Sequence, residues 1–405
     1  MVKKKFLAAA IGAMLVCGSA MAVEVAQGGK GDVLIAPMFM AGGGWTSEIK
    51  VINTNPTDSA VAKVVFHAPT NSAELLDFLI FLTPGDVWVG TVQQNADGSV
   101  GIISTDDSAV RVTDAAGCPT GTGTTGITAN FAAPFTTGYL NVFETRMIRG
   151  TVPTPYSKAS LVAAYSAACL AGTPITTALT DNVLTGSVKL ANPLNGNMLA
   201  LPMTALANYD NFTYHSVGRY TGFFANVAAS NKAMVEDAIW SSDYVIPYNN
   251  AAGQYTFATI TFPTKEAFYA PSASGSQYTP FPGTPTVGYT VRDEEERSLT
   301  TTGCSVSPYP VDSPSTLPAE LNIIAITSGA GTSTVGQLFT QTFTKGWVNA
   351  APFSEVSDTR SKTGNNNLGV VGLPGLATYI QWNFVGNTLQ GAWNYAPKTF
   401  TPGNF

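Results

Sequence analysis

An antiparallel β-sandwich or jelly-roll-like architecture, mainly β and carrying one or two short inserted helices, is the fold class this 405-residue sequence predicts. Three observations predict it. Short β-branched and aromatic runs recur along the chain, and clusters of Gly, Pro, Asn and Asp separate them at sandwich-like spacing. Neither heptads nor a repeat of solenoid or propeller length competes with that pattern.

Residues 32–41 form an apolar run that Gly42-Gly43-Gly44 breaks. Those glycines lack the lysine and following helix of a phosphate loop, so they read as a turn. Residues 47–55 alternate, Pro56-Thr57-Asp58 turns the chain, and 61–68 is β-branched with Val64 and Phe66 on one face. The stretch 75–82 also reads as strand. An Asn71 and Glu74 capping box offers a helix there instead, but the dense Phe and Ile content suits a pleated surface. Pro84-Gly85-Asp86 turns into a strand over 87–92, and strands continue to about Thr105.

Residues 113–126 read as a Gly- and Thr-rich loop, and 138–144 as a strand. A helix is predicted over 157–170, with Ser157 as N-cap, Leu161, Ala164, Tyr165 and Ala168 on its apolar face and Gly172 as its stop. A second short helix is expected over 231–240, and a strand pair over 184–206 turning at 193–197. Residues 255–262, 321–326 and 378–385 read as core strands, the last with Ile380, Trp382 and Phe384 on one face; 272–288 and 358–369 read as loops. The resulting division is a signal peptide over 1–22, an N-terminal β-sandwich region over 23–150, an inserted or middle region with short helices over 151–251, and a C-terminal β region over 252–405 that co-folds with the N-terminal one.

Residues 1–22 have the form of an export signal. Lys3, Lys4 and Lys5 are its basic start, 6–16 is an apolar segment too short to span a bilayer, and Ala20-Met21-Ala22 is a small-x-small peptidase site. Cleavage between Ala22 and Val23 is expected, and Cys17 leaves with the leader. Val16 precedes Cys17 where a lipid-attachment signal has a small residue. Loss of three lysines takes the formal charge from −6 to about −9, a balance that disfavours nucleic acid and anionic membrane surfaces as partners.

Only 11% of residues are charged against 45% hydrophobic, so Ser, Thr, Asn and Gln must carry much of the polar surface. No later apolar run approaches the roughly 20 residues of a membrane-spanning helix. Phe405 is the aromatic terminus that outer-membrane barrels often carry. Reading back by twos gives Gly403, Thr401, Thr399 and Pro397, which is not a lipid-facing stripe.

Candidate chemistry is sparse. Beyond the leader, Cys118, Cys169 and Cys304 allow at most one internal disulfide; Cys118 and Cys304 lie in turn-rich loops and are the favoured pair, whereas Cys169 reads as a small buried helical residue. His67 shares the parity of Lys63 and Val65 and is expected to be a partly exposed structural histidine, and His215 to lie in a surface strand. No nucleophile-elbow GxSxG frames a serine. Asp293, Glu294, Glu295 and Glu296 form the sharpest charge cluster. Their structural reading is a solvated turn, and their chemical reading is calcium held by several oxygens, with Asp106 and Asp107 as further donors. No other cofactor is expected. Six tryptophans read first as core and interface anchors, and second as sugar-stacking platforms of a carbohydrate-binding protein or glycosidase with two facing carboxylates.

The segments DVLIAPMFM, TSEIKVINTN, AVAKVVF, ELLDFLIFLTPGDVW, GYLNVFE and ATITFPTK together resemble a group of exported, surface-layer-like proteins of thermophilic and metal-reducing bacteria. That resemblance implies a cell-surface role and transfers no catalytic or ligand residue. The function expected from the sequence is a non-enzymatic cell-surface protein that self-assembles, as a homo-oligomer or polymer, into a layer or filament. A glycan-binding protein or glycosidase is the alternative, and an outer-membrane channel ranks behind it.

Overall fold

The structure, a computed structural model, describes residues 23–110, 124–148, 157–171, 182–209, 235, 238–241, 244–264, 286–295, 312–317, 319–328, 337–341, 343–353, 373–385 and 388–391. Strands β1 (Glu24–Val25), β2 (Val33–Met40), β3 (Thr46–Asn53), β4 (Ser59–His67), β5 (Glu74–Leu82), β6 (Val87–Gln94), β7 (Val100–Val110), β8 (Thr125–Asn130) and β9 (Thr137–Ile148) precede helix α1 (Lys158–Ala171). There follow β10 (Leu184–Asn192), β11 (Asn197–Pro202), β12 (Thr204–Ala207), β13 (Trp240–Ser241), β14 (Tyr244–Asn249), β15 (Gln254–Thr261), β16 (Thr286–Asp293) and β17 (Asp312–Thr316). The chain ends in β18 (Leu321–Ser328), β19 (Gln337–Gln341), β20 (Lys345–Phe353), β21 (Leu373–Pro374), β22 (Leu376–Val385) and β23 (Thr388–Gly391). The protein is mainly β and sandwich-like, as expected, and its ladders are antiparallel except between β18 and β19.

Strands β1 to β12 form one sheet in the order β1-β12-β2-β9-β4-β5-β7-β6-β3-β10-β11, with β8 added on β7. The sheet curls until its two ends approach, and Gly31 bridges Leu184. Only glycine permits that contact, because a Cβ at position 31 would lie 2.2 Å from the Leu206 carbonyl oxygen. The neighbouring Asp32 fastens the closure. Its buried carboxylate accepts the backbone N–H of Asn182 on Oδ1 and that of Tyr209 on Oδ2, both at 3.0 Å. Its own N–H donates to the Leu206 carbonyl, and its carbonyl accepts the Glu144 N–H at 2.7 Å.

Curling gives the central strands two buried faces. On β4, Ala60, Ala62, Val64 and Phe66 point into the inner core, where Phe39, Phe66, Phe78, Phe131 and Trp88 interlock with centroid separations of 5.0 to 6.4 Å. The inside of the curl is thus packed with aromatic side chains. On the outer face, Val61 meets Leu161, Val162 and Tyr165 of α1, while Val65 joins Val33, Ile35 and Phe143 beneath Tyr209, Val235 and Ile239.

Ser157 caps α1 as its sequence position predicts, its hydroxyl accepting the Ser160 N–H at 3.1 Å. The buried face differs from the expected one. Val162 and Ser166 turn inward with Leu161 and Tyr165, and Ala164 is exposed, because the helix rolls to set Tyr165 edge-on against Phe81 at 5.6 Å. Val235 and Ala238 are helical, within the stretch where a second helix is predicted. Two loop readings give way to strand at their ends: 125–126, the close of the stretch 113–126, open β8, and 286–288 belongs to β16. Pairing partners on an existing edge outweigh the weak β-propensity of the glycines there.

The C-terminal strands make a four-stranded sheet, β14-β20-β16-β17, and a five-stranded sheet, β19-β18-β15-β22-β23. A second core fills the space between them, with Ala258, Ile260 and Ile324 meeting Ile246, Val291 and Val348. The other face of the five-stranded sheet meets the curled sheet. There the Thr261 hydroxyl donates to the Pro37 carbonyl at 2.9 Å, the Leu321 N–H to the Pro69 carbonyl at 2.9 Å, and Trp45 packs edge-on against Trp382 at 5.0 Å. The region read as 151–251 is divided between these bodies, since β10 to β12 join the N-terminal sheet and β14 joins the C-terminal one.

Replacing Asp32 tests the closure. Asp32→Ala is expected to lower unfolding free energy by about 3 kcal/mol, since hydrogen bonds to a buried charged acceptor are worth about 1.5–3 kcal/mol each before relaxation. Asp32→Asn should lose nearly as much, because its amide nitrogen would face an N–H donor on one side. Urea denaturation of the three proteins checks both.

Candidate functional site

The sequence marks His67 as its most chemically versatile position, and the structure places it inside. Expected to be partly exposed, His67 is fully buried, because the odd-numbered face of β4 is covered as completely as the even one. Its Nδ1 lies 3.0 Å from the Ser72 carbonyl, which can only accept, so Nδ1 carries the proton. Nε2 then accepts from the Asn141 amide at 3.2 Å, and the ring stacks on Tyr139 at 4.8 Å. Ser72, held at a φ of +53°, turns its hydroxyl to the Tyr139 hydroxyl at 2.6 Å. Serine and histidine meet through a carbonyl, so this pair is not set up as nucleophile and base. Burial chiefly, with a smaller contribution from Lys63, lowers the His67 pKa to about 4.

Four residues back on the same face stands Lys63, also fully buried, and its ammonium pairs with the Asp77 carboxylate on β5. Sequence reading missed this pair. The available signal was a lone lysine within a β-branched run whose register sets it near an aspartate. Glu74 sits across from His67 in the β4 and β5 ladder. Burial first and repulsion from Asp77 second raise its pKa to about 7, against the pull of Lys63.

The other acidic candidates are engaged separately. Lys158 of α1 reaches Asp107 at 2.8 Å, Asp86 at 3.4 Å and Asp106 at 3.5 Å, tying the helix N-terminus to the sheet. Asp106 and Asp107 thus spend their charge on a lysine. Asp293 ends β16, is buried, and accepts the Glu295 N–H at 3.1 Å; Glu294 is exposed and stands 4.0 Å from Lys345. Among the described residues no three His, Cys, Asp or Glu side chains gather as a metal site would require. Glu296, Cys118, Cys304, His215 and Ala22 lie outside the described residues, and Val23 is the first described and is buried.

Of the tryptophans, Trp88 is fully buried, and Trp347 lies under the Arg292 guanidinium at 5.5 Å. Trp45 and Trp382 flank a cavity whose lining carries no carboxylate among the described residues, so these residues do not form the glycosidase arrangement there.

Among the described residues the two most exposed large apolar side chains lie on the β10 and β11 hairpin. Leu194 at its tip is 84% exposed and Met198 58% exposed. Ala200 and Pro202 continue the exposed side of β11, which pairs only with β10 among the described residues. The tip is firmly built. Asn192 Oδ1 accepts the Leu194 N–H at 3.1 Å, Asn195 Oδ1 the Asn197 N–H at 3.1 Å, and Asn192 Nδ2 donates to the Gly43 carbonyl at 3.2 Å. Sequence reading located the hairpin but not its projecting leucine, although Leu between Pro193 and Asn195 in a turn is itself a signal.

Comparisons with protein families, with known proteins and with solved structures found no match to this chain.

Glu74 and His67 set opposing pH dependences. A carboxyl raised from 4.5 to about 7 keeps its proton in the fold after the unfolded chain has lost it, so its stability contribution disappears as pH rises through that window. A histidine lowered from 6.5 to about 4 contributes stability at higher pH that is lost as pH falls through its own window. The slopes oppose each other over most of that range. Glu74→Gln should unmask the histidine, giving a urea midpoint that declines from pH 6.5 to 4 more steeply than in the parent protein. Equal slopes would refute the assignment.

Proposed function

We propose that this protein is a non-enzymatic structural component of the cell surface, exported by its leader and assembling laterally into a layer or filament. The observation that carries this reading is the rigid β10 and β11 hairpin, which holds Leu194 and Met198 in solvent beside a strand edge with no partner among the described residues. Exposed apolar side chains on an open edge favour strand-to-strand association, and natural monomers usually blunt such edges with charge or proline, of which β11 has only its terminal Pro202. Here Met198, Ala200 and Pro202 occupy the outward positions of β11. The acidic, charge-poor composition and the resemblance to surface-layer-like proteins support the same reading.

Light scattering coupled to size exclusion, with electron microscopy of concentrated samples, tests it. The parent protein should form concentration-dependent oligomers or ordered arrays. A Leu194→Asp, Met198→Asp double variant should remain monomeric at tenfold higher concentration with an unchanged unfolding midpoint, because both side chains are exposed. A parent protein that stays monomeric at every concentration would overturn the proposal.

A further inference from the structure

Between the curled sheet and the five-stranded sheet lies a cavity of about 300 Å³. Met38 of β2, Leu190 of β10, Thr259 of β15 and Ile380 of β22 are its buried walls. Trp45, Phe257 and Trp382 are half-buried around it, and Tyr255, 53% exposed, stands at the solvent side. We infer that this cavity is a binding site for a small, uncharged, predominantly hydrocarbon molecule whose one polar group stays at Tyr255.

Charge excludes other ligand classes. Among the described residues no acidic or basic side chain lines the cavity, so an ionised group placed there would lose its hydration without gaining a partner from them. The buried hydroxyl, that of Thr259, already donates to the Thr378 carbonyl at 3.4 Å, which leaves an apolar body as the matching occupant. Size narrows the class further. An apolar cavity of about 150 Å³ accepts benzene, so about twice that volume suits a bicyclic ring or a chain of similar carbon number.

The walls also stay open. Trp45 and Trp382 cross at 69°, as do Phe257 and Trp382, so the rings brace one another edge-on and do not collapse into a stack. Each wall rides on a hydrogen-bonded strand, and the Thr261 to Pro37 bond pins the two sheets beside the cavity. Met38 and Met40 add polarizable, adaptable surface that tolerates differently shaped guests. A space that a larger residue at Thr259 would have filled is instead preorganised for a guest.

Methionine-methyl NMR on the Leu194→Asp, Met198→Asp protein and on the parent tests the site independently of assembly. The probes are 1-naphthol for a ring, decan-1-ol for a chain, and 1-naphthalenesulfonate as the charged counterpart. At least one uncharged probe should shift the Met38 and Met40 signals saturably, with Met198 of the parent unmoved, and the sulfonate should bind at least tenfold more weakly. Met40→Trp should weaken the uncharged probe at least tenfold by filling the space. Absence of saturable shifts at Met38 and Met40 in the parent, equal binding of the sulfonate, or undiminished binding to folded Met40→Trp would each overturn the assignment. The parent titrations decide the matter even if the variant does not fold.

Discussion

Strand β4 is buried along its whole length on both faces, and the rest of the molecule is arranged around satisfying that constraint. A sheet that curls over its own inner surface buries one face of its central strands by construction. The convex face is then left apolar and needs separate cover. Here α1 covers Val61 and Phe81, Tyr209, Val235 and Ile239 cover Val65 and Phe143, and Lys63 lies between the two patches with His67 beyond them. Position 63 therefore carries a desolvated ammonium that the Asp77 carboxylate offsets by direct pairing. Removing either partner would strand a buried charge, which is far more destabilising than the pair is stabilising.

The same two-faced logic repeats in the five-stranded sheet. Even-numbered residues of β15 enter the second core, whereas Phe257, Thr259 and Thr261 face the curled sheet. Burying β15 between two bodies joins the N-terminal and C-terminal halves without a shared ladder among the described strands. Side-chain packing and a few bonds such as Thr261 to Pro37 make that junction, and packing of side chains alone leaves space where the two surfaces do not match. The apolar cavity lies at this junction. The titratable network lies under the convex face, on the other side of β4, so a guest in the cavity and the protonation of Glu74 act on different faces of the curled sheet.

Much of the architecture was legible because period-two patterning and turn chemistry are local. β3 alternates in burial residue by residue, and Ser157 caps its helix as its position suggests. Loops that became strands were illegible for the opposite reason. Residues 125–126 close a Gly-rich stretch whose glycines have little β-propensity, and they pair because β7 offers them an edge. Likewise, no local rule distinguishes Val162 from Ala164 on a helix made mostly of small apolar residues; the neighbouring Phe81 decides which turns inward.

Sequence alone determined that the chain is mainly β, where most N-terminal strands and their turns lie, and that it carries only two histidines. Those properties follow from side-chain type and short-range spacing. Tertiary structure alone decided that His67 and Lys63 are sealed, that Asp106 and Asp107 answer Lys158, that Asp32 closes the sheet, and that Leu194 projects into water. The physical reason is that parity assigns a residue to a face but not the environment of that face. Whether the second face of a strand meets solvent, a helix or another sheet depends on chain segments more than a hundred residues away.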